Sequence, residues 1–332
     1  MVLDAHAHVI VAELLRDVAP VQAWRPSVRR ERGAQVVELG GREIRSIVDE
    51  VVDVETILAT QSRRGIDGVV LCPFVPLLFT EVEPQACLER CRIQNSALAA
   101  LVLGDPQRIS ALGAVPLQEP ELAAAELRAI RAEGVLAGVE ITASVGGDYI
   151  GERRFEPFWD AAGETGALVF VHPTTRAFEQ PVFAEHYLWN TVGNPFETTI
   201  AAAQMTMGGV LERHRDLRVM LAHGGGALPA LRGRLRHAHG FQPDARRDLV
   251  ESPLDSIRRF YFDTVTHEPA VLRALLEWVG PERVLLGSDY PFDMADPDPV
   301  ATVRSLELAP EAEQAILCGN ARRLCAREGA RA

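Results

Sequence analysis

Short runs rich in β-branched and aliphatic residues recur along the chain, and a helix-like stretch follows each of them. This alternation is the pattern of repeated βα units around a parallel sheet. There are eight such runs, which favours a closed (β/α)8 TIM barrel over an open doubly wound sheet. The predicted strands are Val2–Val9, Gly65–Pro73, Ile109–Pro116, Leu136–Ser144, Ala167–Pro173, Arg218–Gly225, Arg259–His267 and Val284–Asp289.

A barrel of this kind can contain the whole chain, so we predict one domain over residues 1–332. Residues 24–45 do not follow the βα pattern. They run into a possible hairpin, AQVVELGGREIR, in which Gly40 and Gly41 can form the turn. We therefore expect an elaborated first βα loop, a loop and hairpin insertion at residues 10–45 that lies over the barrel mouth.

The charge balance restricts the possible partners. The chain has 34 Lys and Arg residues against 46 Asp and Glu, a formal net charge of −12. Binding to nucleic acid or to an acidic membrane requires a basic face, so we expect neither partner. The N-terminus lacks the basic region of a secretory signal, and the apolar run Val69–Phe79 is about half a membrane span. We expect a cytoplasmic protein.

The cysteines give no sign of a disulfide framework or of a thiolate zinc site. They are odd in number, scattered, and show no C-x-x-C spacing. We therefore predict buried thiols at Cys72, Cys87, Cys91, Cys318 and Cys325.

Histidines and an aspartate stand at the ends of several predicted strands. Alternation along the first strand points His6 and His8 to the same side, so both imidazoles can meet one ion. His172, His223 and Asp289 each close a later strand, and the C-terminal strand ends of a barrel host its chemistry. Neutral imidazoles suit zinc and its neighbours, while a carboxylate adds negative charge and can accept a proton. The pattern predicts a divalent metal site at the barrel mouth.

Five motifs, in chain order, carry a resemblance to a known family: DAHAH, GAVPLQ, VHP, AHGGG and GSDYPF. Together they resemble the amidohydrolase superfamily, in the branch of aminocarboxymuconate semialdehyde decarboxylase and of hydroxybenzoate decarboxylases such as the γ-resorcylate enzyme. The resemblance implies that His6, His8, His172 and Asp289 bind one divalent metal ion. It also implies that His223 lies beside the ion as a proton donor and acceptor.

The same resemblance implies roles for two arginines. Arg45 is similar in placement to an active-site arginine of the decarboxylase, and Arg234 to an arginine that a homodimer delivers to the partner's substrate carboxylate. Arg42 and Arg232 are alternatives, and a solvated surface role remains open for Arg45 and Arg234.

The chain contains no lysine, so all 34 basic residues are arginine. Superfamily members with two metals usually bridge them with a carboxylated lysine, and the resemblance therefore implies a single ion here. Zinc is favoured at a nitrogen-rich site, with manganese as the alternative. Glu140 on the fourth strand could substitute as a bridging carboxylate, but we place it first inside the barrel or behind the ligands.

The leading hypothesis is non-oxidative decarboxylation of a small unsaturated or hydroxyaryl carboxylic acid. A single-metal hydrolase of a lactone, ester or amide is the alternative, and a non-catalytic protein with a structural metal is a third. Thr174 and Thr175 depart from the aminocarboxymuconate enzyme, which leaves the substrate open. The segment after the fifth strand forms either an aromatic wall or ordinary loop packing, through Phe183, His186, Tyr187, Trp189 and Phe196.

Overall fold

The structure, a computed structural model, describes residues 1–16, 24–176 and 180–326. The strands are β1 (Leu3–Val9), β2 (Ser27–Glu31), β3 (Ala34–Leu39), β4 (Arg42–Ile47), β5 (Gly68–Pro73), β6 (Ile109–Gly113), β7 (Gly138–Thr142), β8 (Ser144–Val145), β9 (Asp148–Tyr149), β10 (Leu168–His172), β11 (Arg218–Leu221), β12 (Tyr261–Asp263) and β13 (Val284–Leu285). The α-helices are α1 (Ala12–Arg16), α2 (Val54–Arg63), α3 (Pro84–Gly104), α4 (Pro120–Glu133), α5 (Glu156–Thr165), α6 (Asn194–Met207), α7 (Val210–Arg213), α8 (Leu228–Phe241), α9 (Pro253–Ile257), α10 (Pro269–Val279), α11 (Pro299–Arg304), α12 (Pro310–Gln314) and α13 (Asn320–Leu324).

Eight strands form one parallel sheet in the order β1, β5, β6, β7, β10, β11, β12, β13. The sheet closes between its first and last strands: the N–H of Ala5 donates to the carbonyl of Leu286 over 2.8 Å, and that of His8 to the carbonyl of Tyr290 over 2.7 Å. Each predicted strand overlaps one of these eight, so the predicted TIM barrel is confirmed.

The last two barrel strands are shorter than predicted. β12 has three residues and β13 has two, whereas the sequence predicts Arg259–His267 and Val284–Asp289. The Thr264 hydroxyl accepts from the N–H of Gly287 over 3.1 Å and donates to its carbonyl over 3.2 Å. Because a side chain satisfies both backbone groups of Gly287, the chain can leave the sheet at this point.

The helices pack around the barrel with an apolar face inward, as α10 illustrates. Glu268 caps its first turn by accepting from the N–H of Ala270 over 3.4 Å. Its buried residues recur at three and four spacing: Leu272, Leu275, Leu276 and Val279. This packing holds the strand ends, and the side chains on them, in fixed positions.

The insertion in the first βα connection contains a three-stranded antiparallel sheet of β2, β3 and β4. The predicted hairpin of β3 and β4 is confirmed, and φ is 57° at Gly40 and 75° at Gly41, positive at both turn positions as a type I′ turn requires. β2, with the charged sequence SVRRE, lacks the apolar alternation that would have predicted it. Residues 17–23 of the insertion lie outside the described residues.

All five cysteines are buried and free, as predicted. None of the helices within the described ranges is long and apolar enough to cross a membrane. The single-domain organisation of residues 1–332 stays a prediction.

Candidate active site

Four histidines and one aspartate meet at the C-terminal end of the barrel. Nε2 of His6 lies 3.0 Å from Nε2 of His8 and 3.2 Å from Oδ1 of Asp289. The possible ligand atoms of one subset lie within 4.8 Å of one another: His6, His172, His223 and Asp289. The rings of His8 and His172 are 5.1 Å apart between centroids. The side chains singled out from the strand ends therefore form one compact cluster.

Backbone carbonyls orient two of the histidines. Nδ1 of His8 donates to the carbonyl of Pro73 over 2.9 Å, and Nδ1 of His172 to the carbonyl of Pro173 over 2.9 Å. A carbonyl only accepts, so these bonds place the proton on Nδ1 and leave a lone pair on Nε2. Burial lowers the pKa of His8, and lowers the pKa of His172 well below its usual value. Both imidazoles could therefore donate an Nε2 lone pair to a cation.

Asp263, at the end of β12, orients the third histidine. Its Oδ2 accepts from Nδ1 of His6 over 2.7 Å and from the N–H of His223 over 2.9 Å, while its Oδ1 accepts from the N–H of Gly224 over 2.7 Å. Burial lowers the pKa of His6, but the carboxylates of Asp289 and Asp263 outweigh burial and raise it to about 10. The carboxylates thus create a negative field that favours a cation at the cluster.

His223 and Asp289 face each other across the cluster, with Nε2 of His223 at 3.3 Å from Oδ2 of Asp289. Burial raises the pKa of Asp289, but the charge of His6 and the contact with His223 outweigh burial and hold that pKa well below its usual value. The backbone is left-handed at both positions, with φ of 56° at His223 and 61° at Asp289. Such strained non-glycine positions concentrate at functional sites.

Gly226 explains part of the AHGGG motif. Its φ is 62°, and a Cβ there would lie 2.0 Å from the carbonyl oxygen of Pro195 and 2.7 Å from Oγ1 of Thr199. The N–H of Gly226 donates to the carbonyl of His223 over 2.9 Å. Only glycine therefore allows this turn to pack against α6 while it holds His223 at the cluster.

The cluster fits a divalent metal ion. Nε2 of His172 and Oδ1 of Asp289 are buried, and neither forms a hydrogen bond of normal geometry among the described residues, although Oδ1 lies 3.2 Å from Nε2 of His6. Buried polar atoms without such a bond are uncommon, and these two belong to one cluster of possible ligands. Imidazole nitrogens with one carboxylate oxygen are the donor set that zinc, manganese and similar ions take in proteins.

Glu140 lies inside the barrel on β7, as predicted. It is completely buried, and its Oε1 is 3.7 Å from Nδ1 of His8. Burial raises the pKa of Glu140 well above its usual value. Since Nδ1 of His8 already donates to a carbonyl, Glu140 lies on the Nδ1 side of the His8 ring, away from its Nε2.

A cavity of about 1070 Å³ opens over the cluster and includes His172, His223 and Asp289 in its wall. The insertion, the β5 loop and the β13 loop contribute apolar lining residues: Trp24, Leu39, Ile44, Phe74, Phe79 and Phe292. The insertion also contributes polar ones: Arg42, Glu43, Arg45 and Ser46. We call the polar residues at the end of β7, after β7, after β10 and on α6 the polar wall: Thr142, Ser144, Tyr149, Thr174, Asn194 and Glu197. The site can therefore hold a small ring or conjugated molecule among apolar and polar side chains.

The two predicted arginines lie apart from the cluster's centre. Arg45 lines the cavity, but its guanidinium donates to Glu43 over 2.7 Å and to Glu31 over 3.0 Å. Arg234 is exposed on α8. Of their alternatives, Arg42 lines the cavity, and Arg232 lies over the Trp278 ring at 4.8 Å. A role of Arg45 or Arg234 in substrate binding stays a prediction.

The segment after β10 contributes two aromatic residues to the cavity, Tyr187 and Trp189. Their rings contact edge to face at 5.1 Å, and the Tyr187 hydroxyl donates to Asp293 over 2.8 Å. Phe196 is 46% exposed and His186 is exposed. The aromatic wall is thus narrower than the set of five residues that the sequence offered, and Phe183 also lies outside the lining residues.

Two functional positions were not predicted from the sequence. Asp263 accepts hydrogen bonds from His6 and His223. In the sequence, its position could have been found as a polar residue at the end of an otherwise apolar strand. Glu197 is buried on α6 and accepts from Thr174 and Ser144. A glutamate within a helix gives no sequence signal of this kind, because helical surfaces are rich in glutamate.

A barrel with a histidine and aspartate cluster at its mouth defines the class of metal-dependent α/β-barrel enzymes. Residues 77–325 match the family model described as Amidohydrolase. The 2-amino-3-carboxymuconate-6-semialdehyde decarboxylase of Dictyostelium discoideum is 30% identical over 286 residues, which is 85% of this chain and 79% of that protein. The chain therefore belongs to the amidohydrolase family, in its decarboxylase branch.

Solved structures share the fold along nearly the whole chain. The 5-carboxyvanillate decarboxylase of Sphingomonas paucimobilis has a TM-score of 0.83 at 21% identity, over 98% of this chain and 99% of that one. A dihydroxybenzoic acid decarboxylase of a Polaromonas species, with bound manganese and 2-nitroresorcinol, has a TM-score of 0.78 at 20% identity, over 98% and 96%. The predictions of an enzyme, of its family and of the carboxy-lyase class are confirmed.

Proposed function

We propose that this protein is a metal-dependent decarboxylase that acts on a small hydroxyaryl or unsaturated carboxylic acid. The observation that carries the proposal is the cluster itself, in a member of the decarboxylase branch. His6, His8 and His172 would hold one divalent ion through Nε2, and Asp289 would hold it through Oδ1. His223 stands beside them, within reach of a substrate in the cavity.

We favour zinc as this ion, because the Irving–Williams order places it above manganese at nitrogen-rich sites. Manganese is the alternative, and it is bound in the Polaromonas relative. When bound, the ion would supply positive charge that polarises a substrate oxygen. The chain has no lysine that could be carboxylated to bridge two ions, which supports a single one.

His223 is the residue that transfers the proton in the proposed reaction. In the proposed reaction its Nε2 delivers a proton to the carbon that bears the carboxylate. The bond between that carbon and the carboxyl carbon then breaks, its electron pair stays on the former, and carbon dioxide leaves. Asp289 Oδ2, 3.3 Å from Nε2, stabilises the protonated imidazole. Arginine suits the substrate carboxylate because its planar fork offers two parallel donors, the role proposed for Arg45 and Arg234.

We also propose a homodimer in which Arg234 reaches the partner's cavity. Within α8 only Leu228 is buried, and Phe241 at its end is 70% exposed. An exposed helix with apolar and basic residues is suited to an interface. In a mixed dimer, one cavity would combine His223 of the Arg234→Ala chain with Arg234 of the His223→Gln chain. A mixture of these two inactive variants would therefore regain part of the turnover. A cytoplasmic location remains part of the proposal.

The first experiment measures carbon dioxide release by metal-loaded protein from hydroxybenzoates, dihydroxybenzoates and muconate-type semialdehyde acids. Asp289→Ala is the control, and we expect release to be lost in this variant. Release that persists in Asp289→Ala would contradict the proposed site. Incorporation of oxygen-18 from water into the carboxylic acid formed from a lactone, ester or amide, with no carbon dioxide, would instead select the hydrolase.

A further inference from the structure

Three hydroxyl groups on the polar wall of the cavity have the direction of their hydrogen bonds fixed. The Thr142 hydroxyl donates to the carbonyl of Ser144 over 2.8 Å. The Ser144 hydroxyl donates to Glu197 Oε1 over 3.0 Å, and the Thr174 hydroxyl donates to the Glu197 carboxyl group over 2.7 Å. Each of the three residues lines the cavity. We call the oxygens of these three hydroxyls the acceptor patch.

Glu197 sets this direction for two of the three hydroxyls, those of Ser144 and Thr174. It is 1% exposed and also accepts from the N–H of Thr174 over 2.8 Å, so one N–H and two O–H groups converge on it. Burial raises the pKa of Glu197, and the hydrogen bonds from Thr174 and Ser144 oppose this rise. The three donors that converge on the carboxyl group suit its ionised form, which can only accept. Each hydroxyl has one hydrogen and donates it to a group of the protein. The acceptor patch can therefore only accept hydrogen bonds from a molecule in the cavity.

The patch lies next to the metal cluster. Thr142 pairs with His172 in the register of β7 and β10, and the N–H of Ala143 donates to the carbonyl of His172 over 2.8 Å. Thr174 follows His172 by two residues. A substrate ring held over the cluster therefore brings one of its substituents to the patch.

Three other groups that line the cavity can donate, namely the Tyr149 hydroxyl, the Asn194 amide and the Arg176 guanidinium, which is paired with Glu81. The acceptor patch is therefore limited to the three hydroxyl oxygens. A buried acceptor that meets an apolar or acceptor group on the ligand is left without a partner, which costs free energy. The acceptor patch therefore selects against such substituents where they contact it.

We infer that the substrate carries a hydrogen-bond donor, a hydroxyl or an amino group, in addition to its carboxylate and the oxygen beside the metal cluster, and that this donor binds the acceptor patch. The inference rests on the proposed decarboxylase function and narrows its substrate class. An acid with a methyl, an ether or a second carboxylate at that position is a poorer substrate.

Binding of phenols, the products of decarboxylation, tests the patch without any turnover. Metal-loaded protein is titrated in a calorimeter with resorcinol, meta-aminophenol, meta-cresol and meta-methoxyphenol. We expect the two donor phenols to bind about tenfold more tightly than the cresol and the methoxyphenol, the effect of one hydrogen bond to a buried acceptor. Equal affinity for all four, or no binding of any, would overturn the inference.

Two variants and a control locate the effect. Thr174→Val removes one acceptor at nearly constant shape and should bring the donor and apolar phenols close together. Glu197→Gln places an amide donor against the hydroxyls and frees one hydroxyl hydrogen for the cavity, so meta-methoxyphenol should gain relative to resorcinol. Ser46→Ala, the same loss of a hydroxyl on the hairpin side of the cavity, should leave the preference unchanged. A preference that survives both patch variants would overturn the assignment.

Turnover separates this inference from the proposed function. Carbon dioxide release is compared for γ-resorcylate and 6-methylsalicylate, which differ in a hydroxyl and a methyl group, and we expect kcat/KM to favour the former about tenfold. Release at equal kcat/KM would overturn the inference and leave the decarboxylase standing. A preference for donor phenols in binding, without carbon dioxide release from any acid, would support the acceptor patch and contradict the proposed decarboxylase function.

Discussion

The carboxylate of Asp263 accepts from Nδ1 of His6 over 2.7 Å, and the same oxygen accepts from the backbone N–H of His223 over 2.9 Å. One buried side chain thus fixes the ring of a proposed metal ligand and the backbone of the proposed proton carrier. Partners of this kind fix the tautomer of a ligand histidine and raise its basicity. Asp263 is therefore a positioning residue for both parts of the proposed chemistry.

Replacement of Asp263 by asparagine should weaken metal binding. The amide would turn an N–H₂ group against a donor from His6, His223 or Gly224, so the ring of His6 would lose its orientation. We expect the affinity for zinc to fall by about 10- to 100-fold. Competition with a chromophoric chelator measures this directly, with Asp216→Asn as an exposed control. Unchanged affinity in Asp263→Asn would show that the hydrogen bond does not position His6.

Replacement of His223 by glutamine should separate metal binding from proton transfer. We expect the variant to keep its metal while carbon dioxide release falls by about 10²- to 10⁴-fold, the usual contribution of a general acid. His172→Gln, which removes a proposed ligand, should lose the metal. The measurement is metal content together with turnover. If His223→Gln lost its metal as well, His223 would be a ligand, as its place in the cluster also allows.

The sequence predicted the parts of this protein that strand periodicity and chain order determine. Alternation placed His6 and His8 on one side of β1, and the ends of parallel strands in a barrel meet at one mouth. The eight strands and the meeting of their histidines followed from these two rules. The Gly40-Gly41 turn was predictable for a similar reason, since few residues other than glycine suit a type I′ turn.

The remaining features depend on contacts between segments far apart in the chain. Asp263 reaches His6 across 257 positions, and Glu197 reaches Ser144 across 53. Neither pairing leaves a local pattern, because one polar residue on a strand or helix is compatible with many partners. The position of Arg45 could not be predicted either, since its partners Glu31 and Glu43 were set by the pairing of the insertion strands.

A second histidine and carboxylate group, away from the cavity, supports a prediction about pH and stability. Glu156 accepts from Arg213 over 2.7 and 2.8 Å and from His214 over 2.9 Å, and these bonds hold the pKa of Glu156 below its usual value. A lowered carboxyl pKa stabilises the fold above the unfolded-state pKa of 4.5, and this contribution is lost as the pH falls through the folded-state pKa. Because the guanidinium of Arg213 balances the charge of the Glu156 carboxylate, we interpret this group of residues as an ion pair.

The corresponding variant is Glu156→Gln. It should lower the free energy of unfolding by about 1 kcal/mol near neutral pH, a value already reduced for partial solvent exposure. The difference from the unmodified protein should shrink below pH 4.5, which urea unfolding across a pH series would measure. Glu164→Gln, which breaks an exposed pair with Arg128, is the matched control and should change little. A difference that grew towards acid pH would contradict this sign.

Two glycine substitutions should act in opposite directions. At Gly226 an added Cβ would lie 2.0 Å from the carbonyl oxygen of Pro195 and meet a φ of 62°, so Gly226→Ala should cost at least about 2 kcal/mol of stability. The turn holding His223 would also move, and carbon dioxide release should fall. At Gly233, inside α8, a Cβ would meet no atom within 4 Å, and Gly233→Ala should stabilise the protein by about 0.5–1 kcal/mol. Urea unfolding of both variants measures these changes in stability. If Gly226→Ala were as stable as the unmodified protein, the turn would be able to relax around a methyl group.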